Sequence, residues 1–405
     1  MSLNKHRWRQ ILLLLIIMSL LTGCWDSREI EKRATILAIG IDNAEHNAKN
    51  EEDEVNHLKG ANQIPNERMI ELTVQMAIPG RIPLGPQIGA GDKSPVLVIQ
   101  AVGHTIEDAL LNIQQEVATE IFLGHLRLII LNEEVARAGV GRFTDYLRRN
   151  PQIRRTASLV ISKEKASEYM NIKPELERVP SLYLAEMVDS LVQLGKFPPT
   201  FIGMFWSILS SKGQEPYLPY FKIKGKANIQ INGLAYFKGD KMVGKTKPLQ
   251  IGGFMAGIGA EKGGYALFIK IPDLEQAVLV RAVERKTRVK ASMKNGKPHI
   301  LLKVRYECEI EEVESVNPSN IKAEDLQILE KNFSSEATRA LETLIVETQE
   351  VKSDIFGFGE HFRAKLPNYW NNQVKTKENW QDIYQNLAYD VEIKTKIRRT
   401  GMKAK

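Results

Sequence analysis

The side chains with the widest chemical repertoire are two cysteines, Cys24 and Cys308, and seven histidines in 405 residues. The histidines are scattered. No His-x-x-x-His or Cys-x-x-Cys pair offers a metal the spacing it needs, and no Gly-x-Ser-x-Gly elbow presents a nucleophile. His125 beside Arg127 comes nearest to a site, and a hydrogen-bonding role at the entry of a strand is its plainer reading. The glycines between Gly80 and Gly91 lack a following Gly-Lys-Ser/Thr, and Gly252 to Gly259 lacks the G-x-G-x-x-G register. Both stretches therefore read as loops. Cys308 alternates with Leu302, Val304 and Tyr306 on one strand face, as a buried structural thiol would. That leaves Cys24 as the residue with chemistry to perform.

Cys24 follows a basic lead (Lys5, Arg7, Arg9), the apolar run Ile11 to Leu21, and the small pair Thr22-Gly23. Eleven helical residues span only about 16 Å, far short of a hydrocarbon core of about 30 Å, so the run is not a transmembrane helix. It reads as a secretory signal peptide, residues 1–23. Leu21-Thr22-Gly23-Cys24 resembles the lipobox of bacterial lipoproteins. In such proteins the cysteine sulfur takes up a diacylglyceryl group, and after cleavage the cysteine is the acylated first residue. Two acyl chains, at about 0.8 kcal/mol per buried methylene, anchor a protein stably where one holds it only reversibly. The expected product is a water-soluble ectodomain tied to a membrane face, with Cys24 as lipid-attachment site and with no metal, catalytic residue or other cofactor. Once Cys24 is acylated, Cys308 has no disulfide partner.

Removing residues 1–23 takes away three basic side chains and leaves 53 basic against 49 acidic, a charge of +4. This is too small and dispersed for a nucleic-acid binder. The remaining 382 residues exceed the roughly 250 to 300 that one core usually serves, which implies several domains. The acidic, polar segment Asn43 to Asn66 reads as a solvated loop.

Strands are expected at Ala34–Ile41, Ile70–Ile78 and Val96–Ala101, the last two joined by a long hairpin loop. A helix capped by Thr105 carries Ile106, Ala109, Leu110, Ile113, Val117 and Ile121 and is expected to end at Gly124, and Asn132 is a second cap, opening a short helix from Glu133 to Ala138. Strand, helix and strand alternate to Ser162, the mark of an α/β unit. Pro180–Gly195 and the apolar Pro198–Ser211 are helical, the latter packed in a core or between domains. After Lys222 short strands alternate. Asn295-Gly296 marks a hairpin, followed by a helix to about Val351, an aromatic-glycine break at Phe356 to Phe358 that forms a rigid corner, a further helical region, and a closing strand from Ala388. The fold class is α/β and α+β: a three-domain ectodomain with mixed sheets packed by helices. Its parts are an N-terminal α/β domain (24–195), a middle β-rich domain (196–275) and a C-terminal α+β domain (276–405).

Several runs together carry a resemblance. Leu21-Thr22-Gly23-Cys24-Trp25-Asp26 with Glu29-Ile30, Gly40-Ile41-Asp42, Gly124-His125-Leu126-Arg127-Leu128-Ile129-Ile130, and Asp354-Ile355-Phe356-Gly357-Phe358-Gly359 ahead of Trp370 resemble the C-subunit lipoproteins of spore nutrient-germinant receptors, the GerC or GerAC type. The resemblance runs from the lipobox to Gly401. It implies a lipoprotein on the outer face of the spore inner membrane of an endospore former. Its partners would be the bilayer, through the lipid, and two integral-membrane subunits, an A type and a transporter-like B type. It implies a non-enzymatic role in sensing nutrients, as scaffold or signal coupler, and supplies no ligand-binding residues. The alternative from another class is a solute-binding lipoprotein delivering a small ligand to a transporter, which asks for two similar α/β lobes.

Overall fold

The computed structural model describes Trp8 and residues 33–45, 69–81, 94–172, 178–225, 228–271, 276–313 and 323–398. Leu21, Thr22, Gly23 and Cys24 lie outside them, as does most of the segment 43–66.

The first sheet has nine strands: β1 (Arg33–Asn43), β2 (Ile70–Ala77), β3 (Val96–Gly103), β4 (Glu120–Phe122), β5 (Leu128–Asn132), β6 (Ser158–Ser162), β7 (Tyr217–Lys224), β8 (Asn228–Lys238) and β9 (Lys241–Lys245). Its spatial order is β3-β2-β1-β5-β6-β7-β8-β9, with β4 alongside β1. The centre, β1, β5, β6 and β7, is parallel; the flanks are antiparallel hairpins. Parallel strands are covered on both faces, which is why Leu128-Ile129-Ile130-Leu131 and Leu159-Val160-Ile161 are unbroken apolar runs, every residue of both strands being buried.

Helices α1 (Ile106–Glu116), α2 (Glu133–Ala138), α3 (Gly141–Arg149), α4 (Ala166–Asn171), α5 (Pro180–Gln193) and α6 (Ile202–Ser210) cover this sheet. The expected caps are in place: Thr105 Oγ1 accepts from the Asp108 amide at 3.1 Å and Asn132 Oδ1 from the Glu134 amide at 2.8 Å. The expected run of the first helix to Gly124 is corrected. It stops at Glu116, and Ile121 lies in β4. Gln114 turns the chain, accepting from the Ile121 amide at 2.9 Å and donating to the Thr119 carbonyl at 3.0 Å; these bonds replace the helical ladder. α6 buries Ile202, Phe205 and Trp206 in the first core, with Phe205 edge-on to Phe237 at 5.4 Å.

The second sheet is β10 (Ala266–Ile271), β11 (Gln276–Lys294), β12 (Lys297–Val313) and β13 (Ala388–Arg398), in that order. Asn295 (φ 53°) and Gly296 (φ 74°) form the β11–β12 turn, the left-handed geometry that the dipeptide favours. β13 closes the sheet parallel to β12. The long helix α8 (Ala323–Glu350) lies on this sheet and buries Leu329, Phe333, Leu341, Leu344 and Ile345. Between it and the sheets sits α7 (Gln250–Gly257), where a loop is expected from the sequence. The helix forms despite glycines that cost about 1 kcal/mol each, because Ile251, Phe254 and Met255 are buried by it and Gly253 lets the α8 backbone approach.

The strands expected in a middle β-rich domain are shared out: β7, β8 and β9 extend the first sheet, and β10 joins the second. Packing decided this, since each strand finds an open sheet edge beside it. Cys308 is fully buried on β12, and burial pushes its thiol up to about 12, in keeping with a structural side chain.

Candidate functional site

The polar groups with the most concentrated bonding lie where the segment between α6 and β7 crosses the segment after α8. Gly213 and Gly359 meet backbone to backbone; a Cβ on Gly213 would stand 2.4 Å from the Gly359 carbonyl carbon. Around that crossing the Glu215 amide donates to the Asp354 carbonyl at 2.8 Å, Ser353 Oγ to the Phe237 carbonyl at 2.5 Å, and Gln214 Nε2 to the Ile355 carbonyl at 3.2 Å. Glu360 Oε1 accepts from Ser211 Oγ at 2.5 Å and from the Gly213 amide at 2.9 Å.

Asp354 is the centre of the corner. Its Oδ1 accepts from the amides of Gly357 (2.9 Å) and Phe358 (3.1 Å), and its Oδ2 from the Gly359 amide (2.9 Å) and Trp380 Nε1 (2.9 Å). It thereby caps the helix α9 (Phe358–Lys365) and ties it to α10 (Lys377–Gln385), which carries Trp380. Burial pushes its carboxyl up to about 7. The four N–H donors pull the other way, and because every one points at an oxygen that must accept, the ionised form is the one this geometry suits. Gly357 supplies the positive φ of the turn at 74°. Phe356 and Phe358 stack at 5.1 Å, 4% and 0% exposed, so the aromatic-glycine break is the structural corner expected of it.

Glu215 is the second buried acid at this junction, Glu360 being half-buried. It accepts from the Gly239 amide (2.8 Å), Gln381 Nε2 (2.7 Å) and Lys377 Nζ (3.2 Å), joining the β8–β9 turn to α10. Burial raises its pKa, and Lys377 opposes the rise. No sequence signal pointed to Glu215, because Gln381 stands 166 residues away.

Asp42, of the Gly40-Ile41-Asp42 run, does similar work in the first sheet, accepting from the amides of Ala166 (2.8 Å) and Ser167 (3.2 Å) at the start of α4. Burial pushes it from 3.8 up to about 6. A carboxyl whose folded pKa is raised contributes stability that is full below its unfolded value, near 4, and is lost as pH rises through about 6. Chemical unfolding of the wild type and Asp42→Asn should therefore diverge with pH, the difference between them changing by up to about 3 kcal/mol from pH 4 to 7 at about 1.4 kcal/mol per pKa unit. Parallel pH profiles would contradict it.

His125 does not hold the strand entry as expected. It is exposed and meets Phe122 edge-on at 5.9 Å, while Arg127 beside it is also exposed. Beside the crossing lies an open cleft of about 670 Å³, whose lining includes Arg148, Arg155, Lys212, Gln214, Glu360 and Arg363. Among the described residues no three His, Cys, Asp or Glu side chains group as metal ligands.

Two family models cover most of the chain: "Spore germination protein N-terminal domain" over residues 26–223 and "Spore germination B3/GerAC like, C-terminal" over 232–401. The chain belongs to the GerAC-type spore germination C-subunit family. Its relatives include spore germination protein KC of Bacillus subtilis (strain 168), 28% identical over 96% of this chain and 95% of that protein, and spore germination protein GerQC of Bacillus cereus, 25% identical over 77% and 85%. The crystal structure of the GerBC protein matches with a TM-score of 0.55 and 20% identity over 82% of this chain and 94% of that one, a likeness of fold. In this GerAC-type chain two of the runs that carry the resemblance have structural work: Asp42 and Asp354 are consumed in backbone bonds. Among the described residues, no helix of this family member is long and apolar enough to cross a membrane.

Proposed function

We propose that this protein is the membrane-tethered, non-enzymatic C subunit of a nutrient germinant receptor, held to the outer face of the spore inner membrane by a diacylglyceryl thioether on Cys24. It works beside an A-type and a transporter-like B-type integral subunit as scaffold or signal coupler. The match to spore germination proteins, which begins two residues after Cys24, carries this reading. The junction favours coupling over catalysis, since Asp354, Glu215 and Glu360 are engaged in holding two segments together rather than free to move protons. A subunit bonded in this way passes a contact made on one sheet to the other as a rigid displacement, and partners bias it through differential contact in resting and triggered states. A solute-binding lipoprotein would call for two similar lobes, whereas here a nine-stranded mixed sheet faces a four-stranded one.

Cys24→Ala should move the protein from the membrane fraction to the soluble one, and intact-mass analysis of the wild type should show a lipid adduct on the residue that begins the mature chain. An unmodified sulfur, or fractionation of the variant that stays unchanged after a high-salt wash, would refute the attachment. Co-purification of the two integral subunits with the detergent-extracted wild type tests the assembly.

A further inference from the structure

We propose that the edge of the first sheet at which its parallel strands begin is a docking surface for anionic phospholipid headgroups. For its orientation the proposal rests on attachment at Cys24. Register places the residues. Ala38, Leu128 and Ser158 stand side by side on β1, β5 and β6, so Arg33, Arg127 and the Arg154-Arg155 pair, all preceding those positions, lie at one end of the sheet. Neighbouring strands are about 4.8 Å apart, which puts the β6 end roughly 10 Å from the β1 end.

Two contacts fix this edge together. Gln152 Oε1 accepts from the Leu123 amide at 2.8 Å, pinning the loop that carries Arg154 and Arg155 against the end of β4, and Arg33 lies over the Phe122 ring at 4.5 Å. α3 delivers Arg148 and Arg149 to the same loop. From Arg148 to Arg155 the chain holds four arginines and no acid, and all four are exposed. Arg149 is engaged by Asp145, while Arg127, Arg148, Arg154 and Arg155 have no carboxylate partner among the described residues. The cleft beside them adds Lys212, while its single acid, Glu360, is already occupied by Ser211, Gly213 and its ion pair with Arg363 at 2.6 Å.

Chain length says what faces this edge. Arg33 stands nine steps along the chain from Cys24, and at about 3.3 to 3.6 Å a step these reach at most about 32 Å. A lipid on Cys24 therefore keeps this end of the sheet within that distance of the bilayer. Exposed arginines there meet lipid phosphate with the fork geometry it prefers, and each basic group within a Debye length of an anionic surface is worth roughly fivefold in partition.

The test is co-sedimentation of the processed chain, residues 24–405 with Cys24→Ser, with vesicles of phosphatidylglycerol and phosphatidylcholine in equal parts, against phosphatidylcholine alone. Removing the acyl site keeps this outcome separate from that of the anchoring experiment. Binding is expected to the anionic vesicles alone and to weaken at high salt. Arg148→Gln/Arg149→Gln/Arg154→Gln/Arg155→Gln should lower it by an order of magnitude or more. Lys163→Gln/Lys165→Gln/Lys222→Gln/Lys224→Gln, with the same loss of charge at the opposite end of the parallel strands, should stay within about twofold. A circular-dichroism melt matching the wild type shows that each variant is folded. Equal loss in both variants, no preference for anionic vesicles, or displacement by millimolar inorganic phosphate at constant ionic strength would overturn the proposal. An absent preference would leave the face to an acidic segment of a protein partner.

Discussion

Asp354→Ala should destabilise the protein by roughly 4 to 8 kcal/mol, because it strands four buried donors at about 1 to 3 kcal/mol each: the amides of Gly357, Phe358 and Gly359 and the Trp380 indole. Against a net stability of about 5 to 15 kcal/mol, that leaves little folded protein. Asp354→Asn should lose about half as much. Its carbonyl oxygen still serves Gly357 and Phe358, while its amide nitrogen turns a donor toward the two donors that Oδ2 satisfied. Urea unfolding followed by tryptophan fluorescence reads both, since Trp370 and Trp380 are buried beside the corner. A loss below about 1 kcal/mol in the alanine variant would show that the corner does not hold α9 and α10 as described.

A chain ended at residue 223, the limit of the first family segment, should fail to give soluble protein, and so should one begun at residue 232. The sheet crosses that boundary. β7 pairs with β8 from Tyr217↔Tyr236 to Lys224↔Asn228, and Ala235, Phe237 and Met242 of the second segment belong to the first core. Cutting there strips a central strand of its partner and leaves the row of amides and carbonyls along β7 open to intermolecular pairing. The junction fails too, because Glu215 and Gly213 lose Gly239, Gln381 and Glu360. Co-expressing the two pieces with a tag on one, and looking for the other in the eluate, separates a cut that merely exposes an edge from one that abolishes folding. A soluble, cooperatively melting 26–223 fragment would show that the sheet is divisible.

Local pattern was legible wherever a single element could satisfy itself. The caps at Thr105 and Asn132, the Asn295-Gly296 turn, the α8 stripe and the closing strand all follow from neighbours within a few residues. Where the reading went astray, a distant group had overruled a local one. The glycines at 252–257 favour a loop on their own and became helix because α8 packs on them. The stripe beyond Glu116 continued on paper, but the Gln114 side chain took its backbone bonds.

The amino-acid order by itself carried the alternation of strands and helices, and the family through runs such as Gly40-Ile41-Asp42 and Asp354 to Gly359. Only the tertiary structure decided what the carboxylates of those runs do, that the strands of 196–275 are divided between two sheets, and that six arginines from three separate segments come to one end of a sheet. The reason is reach: a side chain's periodicity is written within a turn or a strand, whereas a hydrogen bond across 166 residues, such as Gln381 to Glu215, exists only once the chain has folded back on itself.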